Sequence, residues 1–567
     1  MLYSALKKYG GYGVVSVRSV TMAQPEDPYS RSLEAFQEPP RGFLGTLRQL
    51  GPGLIIVGSV VGSGELIMTT KLGALAGFVF LWFVLLSCLI KVVVQAELTR
   101  YTISSGKTFL EAFNALPGPA APRPVWLTLS WLAVVVASSL IALTIYMKVD
   151  MGDSRPEFLG LLVMGVVGVG SLTAQFLRRK HGKEEADPSR TEKKDRPTIN
   201  WFLWLWLAAT LLVFVNSGAI LGGAGQTLQM VFPDVFGAGG SRSWAVIVAL
   251  LAAALLLSGT YASLEKILVI LVATFTLLTV VSTVLLQWTG LAISWSSVEQ
   301  GLTFGVPESM TPVLIVTALA MYAGTGIGVG EMWNYTYWCV EKGYARNVGE
   351  IQPGEAWSRR ARGWIRVMYT DVFLTMVVYT ISTVCFYFLG AAVLYVKNMD
   401  PDGPETLTTL SAVYTESLGT WAATLFVVGA FFVLFTTVLA GVAGNSRLMA
   451  DALAVMGIMK RRDFKARLRF IRIFIVVSLV IYSIAYWLFE NPPQMLLVTS
   501  SIVAAVMFPI MGLGTLYLRY AKVDPRITPS SWTTAWLWIC TLALTVISPG
   551  GILLALAVKF GWVSLGE

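Results

Sequence analysis

The sequence has few of the residues that usually build metal and redox sites. It contains one histidine, His181, and four cysteines, none of which form a CxxC pair. A histidine-rich metal site, a zinc ribbon and a disulfide framework are therefore excluded. Charge is also scarce: 13% of the residues are charged and 55% are hydrophobic, whereas soluble domains carry about 25% charged residues. One soluble core cannot absorb that much apolar sequence. The composition indicates an all-α integral membrane protein, with the lipid bilayer as its partner.

Apolar runs of about 20 residues, the length that crosses a bilayer, recur along the chain and predict about 13 transmembrane spans. The predicted spans are 52–70, 78–100, 125–147, 158–178, 200–229, 243–259, 263–288, 312–337, 367–396, 418–446, 469–489, 494–518 and 532–557.

The distribution of positive charge predicts the orientation of these spans. If the amino terminus is cytoplasmic, the loops on that side are rich in Lys and Arg, and the opposite loops are mostly acidic. This assignment makes residues 1–45 a cytoplasmic tail, puts the carboxyl terminus outside and suits a cell (inner) membrane. It also explains the net charge of +9, so no nucleic-acid partner is needed.

Two spans carry glycine clusters that each end in a glutamate. The first reads GSVVGSGE and ends at Glu65, and the second reads GTGIGVGE and ends at Glu331. Glycine costs about 1 kcal/mol relative to alanine inside a helix, so each cluster favours an unwound stretch. Unwound backbone is tolerated at membrane depth where it lines a cavity or is buried in protein. Close helix packing also explains glycines, but it does not explain the two glutamates.

The positions of the two clusters predict a transporter built from an inverted repeat. If the two spans within 122–198 are set aside as an inserted hairpin with a charged cytoplasmic loop, the clusters fall in the first and the sixth spans. Interrupted helices at matching places in two halves are the pattern of a substrate site at the membrane midplane.

At these residues the sequence resembles the NRAMP family (natural resistance-associated macrophage proteins), which are divalent-metal transporters with a LeuT-type fold. The stretch GPGLIIVGSVVGSGELIMTTKLGALAGFVFLW is similar to the family's first helix and turn, and shorter matches follow as far as Pro509. The resemblance covers most of 45–560 except 122–198. It implies an inverted 5+5 helix repeat plus extra helices, a membrane domain over 46–567, and alternating access.

The functional positions that the resemblance carries over mostly differ from the family pattern. Gly62, Ser63 and Glu65 stand in the family's metal-binding Asp-Pro-Gly-Asn signature, and Met332 and Asn334 stand for the methionine and histidine of Met-Pro-His-Asn. The resemblance thus implies Glu65, Glu331 and Met332 as metal ligands, with Gly62, Ser63, Gly328, Asn334 and Ser501 around the substrate. It further implies Asn216, Asp371 and Arg346 as gating or pathway residues. Because Asn216, Ala219 and Asn334 replace titratable groups, proton coupling is in doubt.

The leading hypothesis is therefore a secondary transporter of a divalent metal ion, and the competing one is a carrier of a metal chelate or a small organic acid. A receptor and an integral-membrane enzyme are weaker alternatives, because neither a signalling domain nor a catalytic constellation is visible in the sequence. Lys91 interrupts an apolar span, and we expect it either to extend its ammonium to the membrane interface or to pair inside the bundle. Ser105-Gly106-Lys107-Thr108 resembles the end of a Walker A loop, but Tyr101 stands where that motif needs glycine. No ATP site and no cofactor is predicted.

Overall fold

The structure is a computed structural model that describes residues 27–31, 36–62, 64–134, 196–237, 239–259, 261–307, 309–401, 406–419, 421–461, 463–488 and 493–559. The helices of the first half are α1 (Gly42–Leu47), α2 (Pro52–Val60), a π-helix (Gly64–Thr69), α3 (Thr70–Ala76), α4 (Leu81–Ser105), α5 (Phe109–Phe113), α6 (Trp201–Val231), α7 (Pro233–Phe236), α8 (Ser241–Ser258), α9 (Tyr261–Leu285) and α10 (Trp295–Leu302).

The helices of the second half are α11 (Pro312–Gly324), α12 (Val329–Glu341), α13 (Tyr344–Val348), α14 (Glu355–Leu389) with a π-helical end (Gly390–Leu394), α15 (Thr406–Leu418), α16 (Ala422–Val455), α17 (Phe464–Leu488), α18 (Pro493–Ala521) and α19 (Ser531–Lys559). Short 3₁₀ turns lie at Leu286–Trp288 and Pro525–Ile527.

The long apolar helices confirm a helical membrane architecture. Within the described part of the chain, seven helices are long and apolar enough to cross a bilayer, and the bent pair at 52–76 makes an eighth. Helices α6, α9 and α18 are also 25 to 31 residues long. Most of the predicted spans 125–147 and 158–178 lies outside the described residues, so the total of about 13 stays a prediction.

Both glycine clusters interrupt their helices, as the sequence predicts. In the first, α2 ends at Val60 and the helix resumes at Gly64. The two helical segments, 52–60 and 64–76, are bent by 44° relative to each other. In the second, α11 ends at Gly324 and α12 begins at Val329. Gly326 between them has φ +65°, a left-handed conformation that residues with a Cβ adopt only at a cost.

The broken helices lie at the centre of the bundle. Helix α2 packs against α9, α12, α14 and α16, while α11 packs against α18 and α19. Helix α6 packs against α8, α16, α17 and α18. This arrangement places both breaks between helices of the two halves.

The described part of the predicted tail packs on one end of the bundle instead of extending from it. The hydroxyl of Tyr29 donates to Glu341 at the end of α12 (3.1 Å). The backbone carbonyl of Gln37 accepts from the indole of Trp364 in α14 (2.9 Å), and its N–H donates to the carbonyl of Asn347 (2.9 Å). Residues 27–31 and 36–40, named here the entry segment, are therefore tied to both α12 and α14.

The ends of the predicted insertion meet each other. Ala120–Pro122 (β1) pairs antiparallel with Thr198–Asn200 (β2). Residues 135–195, most of the predicted hairpin and its charged loop, lie outside the described residues. Pro122 and Thr198, which bound the predicted insertion, are therefore neighbours.

Candidate functional site

The two interrupted helices cross where each lacks side chains. A Cβ on Gly64 would stand 2.1 Å from the carbonyl oxygen of Gly324, which is inside the contact distance of any two heavy atoms. A Cβ on Gly62 would likewise stand 2.1 Å from the hydroxyl oxygen of Thr437 in α16. The glycines at 62 and 64 thus permit backbone contact between the halves, which is a packing role as well as a helix-breaking one.

Glu65 joins the two breaks to each other. Its side chain is fully buried, and Oε1 accepts the N–H of Gly326 at 2.8 Å while Oε2 accepts the N–H of Gly62 at 3.2 Å. Glu65 is absent from the described lining of the cavity beside the breaks. Its carboxylate satisfies backbone donors that unwinding leaves unpaired.

Lys91 of α4 approaches the second break from the opposite side. Its ammonium is fully buried and donates to the carbonyl oxygens of Tyr322 (2.6 Å) and Thr325. The same ammonium lies 5.3 Å from the ring centre of Tyr322 and 5.4 Å from that of Phe508. The peptide unit between Thr325 and Gly326 therefore donates to a carboxylate and accepts from an ammonium.

A cavity of about 190 Å³ opens beside the crossing. Its described lining comes from α2, the π-helix that follows it, α6, α11, α12, α16, α17 and α18. The lining residues are Ser59, Gly64, Met68, Ala209, Thr210, Ser217, Ile220, Ala323, Gly324, Gly328, Val329, Gly330, Glu331, Trp333, Asn334, Thr437, Val438, Gly441, Val442, Asn445, Tyr482, Val503, Ala504 and Met507. Among these described residues Glu331 is the only one with a formal charge.

Glu331 is held in place by the first broken helix. The hydroxyl of Ser59 donates to its Oε1 at 2.6 Å. A Cβ on Gly328 would stand 2.5 Å from its Oε2, so the side chain folds back over the start of α12. A carboxylate at the first turn of a helix is also favoured by the helix dipole. The cavity therefore presents one oriented carboxylate at the junction of both broken helices.

The thioether predicted at Met332 lies elsewhere. Met332 is completely buried in the core and is not among the described lining residues. This follows from its place next to Glu331 on a regular helix, where consecutive side chains point about 100° apart. Met68 and Met507 line the cavity instead. Hydropathy patterns could not single them out, because methionine is an ordinary packing residue in apolar helices.

Amide groups also line the cavity that Glu331 faces. Asn334 lines the cavity, and its Oδ1 is buried without a hydrogen-bond partner among the described residues. It packs on Gly444, where a Cβ would come within 2.6 Å of its amide nitrogen. Asn445 and Tyr482, which the sequence did not single out, also reach the cavity. An unpaired buried oxygen beside a carboxylate is a potential cation ligand.

The remaining predicted residues fall at different places. Asp371 is buried and accepts from the N–H groups of Gly53 (2.6 Å) and Gly51 (3.4 Å) and from the hydroxyl of Tyr335 (2.8 Å). It caps the start of α2 and ties α2 to α12 and α14.

Arg346 lies in the short helix α13, apart from the described cavity lining. The structure places Asn216 within α6 and Ser501 within α18 and describes neither side chain; Ser63 lies outside the described residues. The described residues contain no group of three or more His, Cys, Asp or Glu side chains placed to hold a metal ion.

A buried polar cluster closes the bundle at the end where the entry segment lies. Asp451 of α16 accepts from Arg467 (2.9 Å), from the hydroxyl of Thr108 (2.6 Å) and from the hydroxyl of Tyr337 (2.8 Å). The guanidinium of Arg467 stacks on the ring of Tyr29 at 4.0 Å. Tyr29 thus contacts charged side chains of two helices, Glu341 of α12 and Arg467 of α17, and Arg467 is paired with Asp451 of α16.

The comparisons with known proteins agree with this geometry. A family model described as natural resistance-associated macrophage protein-like matches residues 192–554, more than half of the chain. The chain belongs to the NRAMP family. It is accordingly an integral membrane protein. No curated protein gives a significant match to the sequence.

Solved structures of NRAMP proteins share the fold. The manganese transporter of Eremococcus coleocola, in complex with an aromatic bis-isothiourea compound, is 14% identical with a TM-score of 0.57, over 94% of this chain and 92% of that one. A variant of that transporter gives the same values. Outside that family, the structure of MhsT in complex with L-phenylalanine is also 14% identical, with a TM-score of 0.45 over 92% of this chain and 99% of that one. The likeness to the manganese transporter, with its TM-score of 0.57, confirms the LeuT-type fold predicted from the sequence.

Proposed function

We propose that this NRAMP protein is a secondary transporter that carries a divalent metal ion across the membrane by alternating access. Family membership supports the transport class. The observation that carries the proposal is the single oriented carboxylate of Glu331 at the junction of two broken helices, beside the unpaired oxygen of Asn334.

The donors around the cavity suggest which ions fit. Carboxylate, amide and hydroxyl oxygens suit hard cations such as Mg²⁺ and Mn²⁺, and thioethers favour softer transition metals. The cavity offers Glu331, Asn334 and Asn445 together with the thioethers of Met68 and Met507. Mn²⁺ accepts the oxygen set and is the ion named for the similar structure from Eremococcus coleocola, so it is the first substrate to test.

We infer that protons are not coupled through the family's histidine position, because Asn334 stands there and an amide does not titrate. We further propose a cytoplasmic amino terminus, an external carboxyl terminus and a cell-membrane location, on the distribution of Lys and Arg. Labelling of terminal tags on intact and permeabilised cells tests this orientation.

The decisive experiment is Mn²⁺ uptake into proteoliposomes with Glu331→Gln. We expect saturable uptake by the wild type and a reduction of at least tenfold in the variant, because Glu331 is the one charged group in the described lining. Glu299→Gln is the matched control, since Glu299 is exposed on α10. Equal uptake by wild type and Glu331→Gln would contradict a substrate-binding role for Glu331. If the wild type takes up neither Mn²⁺ nor Mg²⁺, the proposed substrate class is wrong.

The volume of the cavity favours one second candidate, a metal chelate or a small organic acid. A single water needs about 10–15 Å³ of such space, so about 190 Å³ exceeds the need of a bare ion. Uptake of ⁵⁴Mn with and without excess citrate separates the two: a free-ion carrier is inhibited by citrate, whereas a chelate carrier is stimulated.

A further inference from the structure

We propose that the ammonium of Lys91 is a built-in cation of this carrier, occupying a site at the second helix break that would otherwise take a small monovalent cation. This inference goes beyond the proposed function and does not depend on which substrate the cavity binds. It concerns the space between α4, α11 and α18, where Lys91 meets Tyr322, Thr325 and Phe508.

The first argument is the end of α11. The last carbonyl groups of a helix have no partner within the helix and carry the negative end of its dipole. Helix α11 ends at Gly324, and Tyr322 and Thr325 on either side of this end are fully buried. The carbonyl oxygens of Tyr322 and Thr325 accept the Lys91 ammonium, so a positive charge stands where the dipole favours one.

The second argument is the chemistry of the surrounding atoms. The hydroxyl of Ser87, one helical turn before Lys91, lies 3.2 Å from the carbonyl oxygen of Tyr322 and 3.5 Å from that of Thr325. Two aromatic rings lie within about 6 Å of the ammonium, the distance at which ring faces attract cations. Two carbonyls and two ring faces therefore converge on one positive group, and Ser87 donates to the same two carbonyls.

The third argument is charge balance across a single peptide unit. The N–H of Gly326 donates to Glu65, and the carbonyl of the preceding Thr325 accepts from Lys91. Each charge is fully buried. A buried carboxylate without a positive group nearby is strongly unfavourable. Lys91 therefore keeps both Glu65 and the unwound segment stable without any soluble ion.

The test is whether a soluble cation replaces the missing ammonium. Thermal unfolding of purified wild type, Lys91→Ala and Lys71→Ala is measured in NaCl, methylammonium chloride and choline chloride at equal ionic strength. Lys71 is the matched control, because it is a buried lysine of α3 that pairs with Asp400 (3.4 Å), away from the break.

We expect Lys91→Ala to gain about 1–3 °C in Tm when NaCl or methylammonium chloride replaces choline chloride, the size of effect that a weak ligand gives by mass action. Choline is too large for the space that the side chain leaves. Wild type and Lys71→Ala show no difference among the three salts. A Tm of Lys91→Ala that is equal in all three would overturn the proposal, because a merely structural lysine creates no cation site.

Lys91→Ser, which keeps one donor, is the second variant if the alanine variant does not fold. The same comparison of Tm values among the three salts then tests the proposal. If neither variant folds in any of the salts, the proposal that a soluble cation can replace the ammonium is also overturned. No divalent metal is present in these measurements, so a failure of the transport proposal would not alter their outcome.

Discussion

Two glutamates that follow nearly the same sequence, GSGE and GVGE, lie in different surroundings. Both carboxylate oxygens of Glu65 accept backbone N–H groups, whereas Glu331 faces the cavity and accepts the hydroxyl of Ser59. The glycine pattern predicts the breaks but not this division of roles, because the division depends on which helix each side chain meets after the chain folds. The resemblance implies both Glu65 and Glu331 as ligands, whereas the contacts favour Glu331.

We expect Glu65→Gln to lower the free energy of unfolding by about 1–3 kcal/mol, because an amide places an N–H₂ group against a backbone donor and removes charge from a buried hydrogen bond. Glu331→Gln leaves stability nearly unchanged, since its side chain borders a cavity. Denaturant titration of both variants measures the difference. Equal stability of Glu65→Gln and wild type would show that the carboxylate is not the link between the breaks.

Gly64→Ala is expected to prevent folding or to cost more than about 3 kcal/mol, because its Cβ meets the backbone of Gly324 at 2.1 Å and neither chain can move aside without repacking. Gly330→Ala is the matched control: nothing lies within 4 Å of its Cβ position, and alanine favours a helix by about 1 kcal/mol over glycine. Size-exclusion profiles and Tm values compare the two. A well-folded Gly64→Ala protein would contradict the crossing.

Among the elements, α2 depends on a cap that comes from a distant helix. Asp371 lies more than 300 positions along the chain from Gly51 and Gly53, whose N–H groups it accepts. The sequence indicated a gating or packing role for Asp371 without its partner, because no periodic pattern records so distant a contact. The same holds for Lys91, whose acceptors lie on α11.

Asp371→Asn is expected to destabilise the protein by about 1–2 kcal/mol, since a neutral amide is a weaker acceptor for the two N–H groups and for Tyr335. Tyr335→Phe removes one of these bonds and costs less, about 1 kcal/mol. Thermal unfolding of both variants and of the double variant gives their coupling. Strictly additive losses would contradict a shared network.

The entry segment is expected to contribute measurable stability. Tyr29→Phe removes the bond to Glu341 and lowers the free energy of unfolding by about 0.5–1.5 kcal/mol. Tyr395→Phe changes the same group at a half-exposed position and should have no effect. A Tyr29→Phe protein as stable as wild type would show that the segment rests on the bundle without being held by this contact.

For the whole molecule, hydropathy, charge and glycine spacing predicted a helical membrane protein with two broken helices, and the family match confirms the class. These properties depend on composition and local pattern, which a bilayer constrains strongly. The lining of the cavity was predicted less completely. Met68, Met507 and Asn445 come from three helices that approach one another only in the folded bundle.

The pairing of β1 with β2 has a consequence for engineering. Antiparallel strands lie about 4.8 Å apart, so the two ends of residues 123–197 are spaced like the termini of many compact domains. Pro122 and Thr198 form one paired base, beside which Trp126, Leu127 and Leu132 pack against the core. A rigid soluble domain grafted onto that base would rise from the bundle as a fixed landmark, large enough to align images of this otherwise featureless particle in the electron microscope.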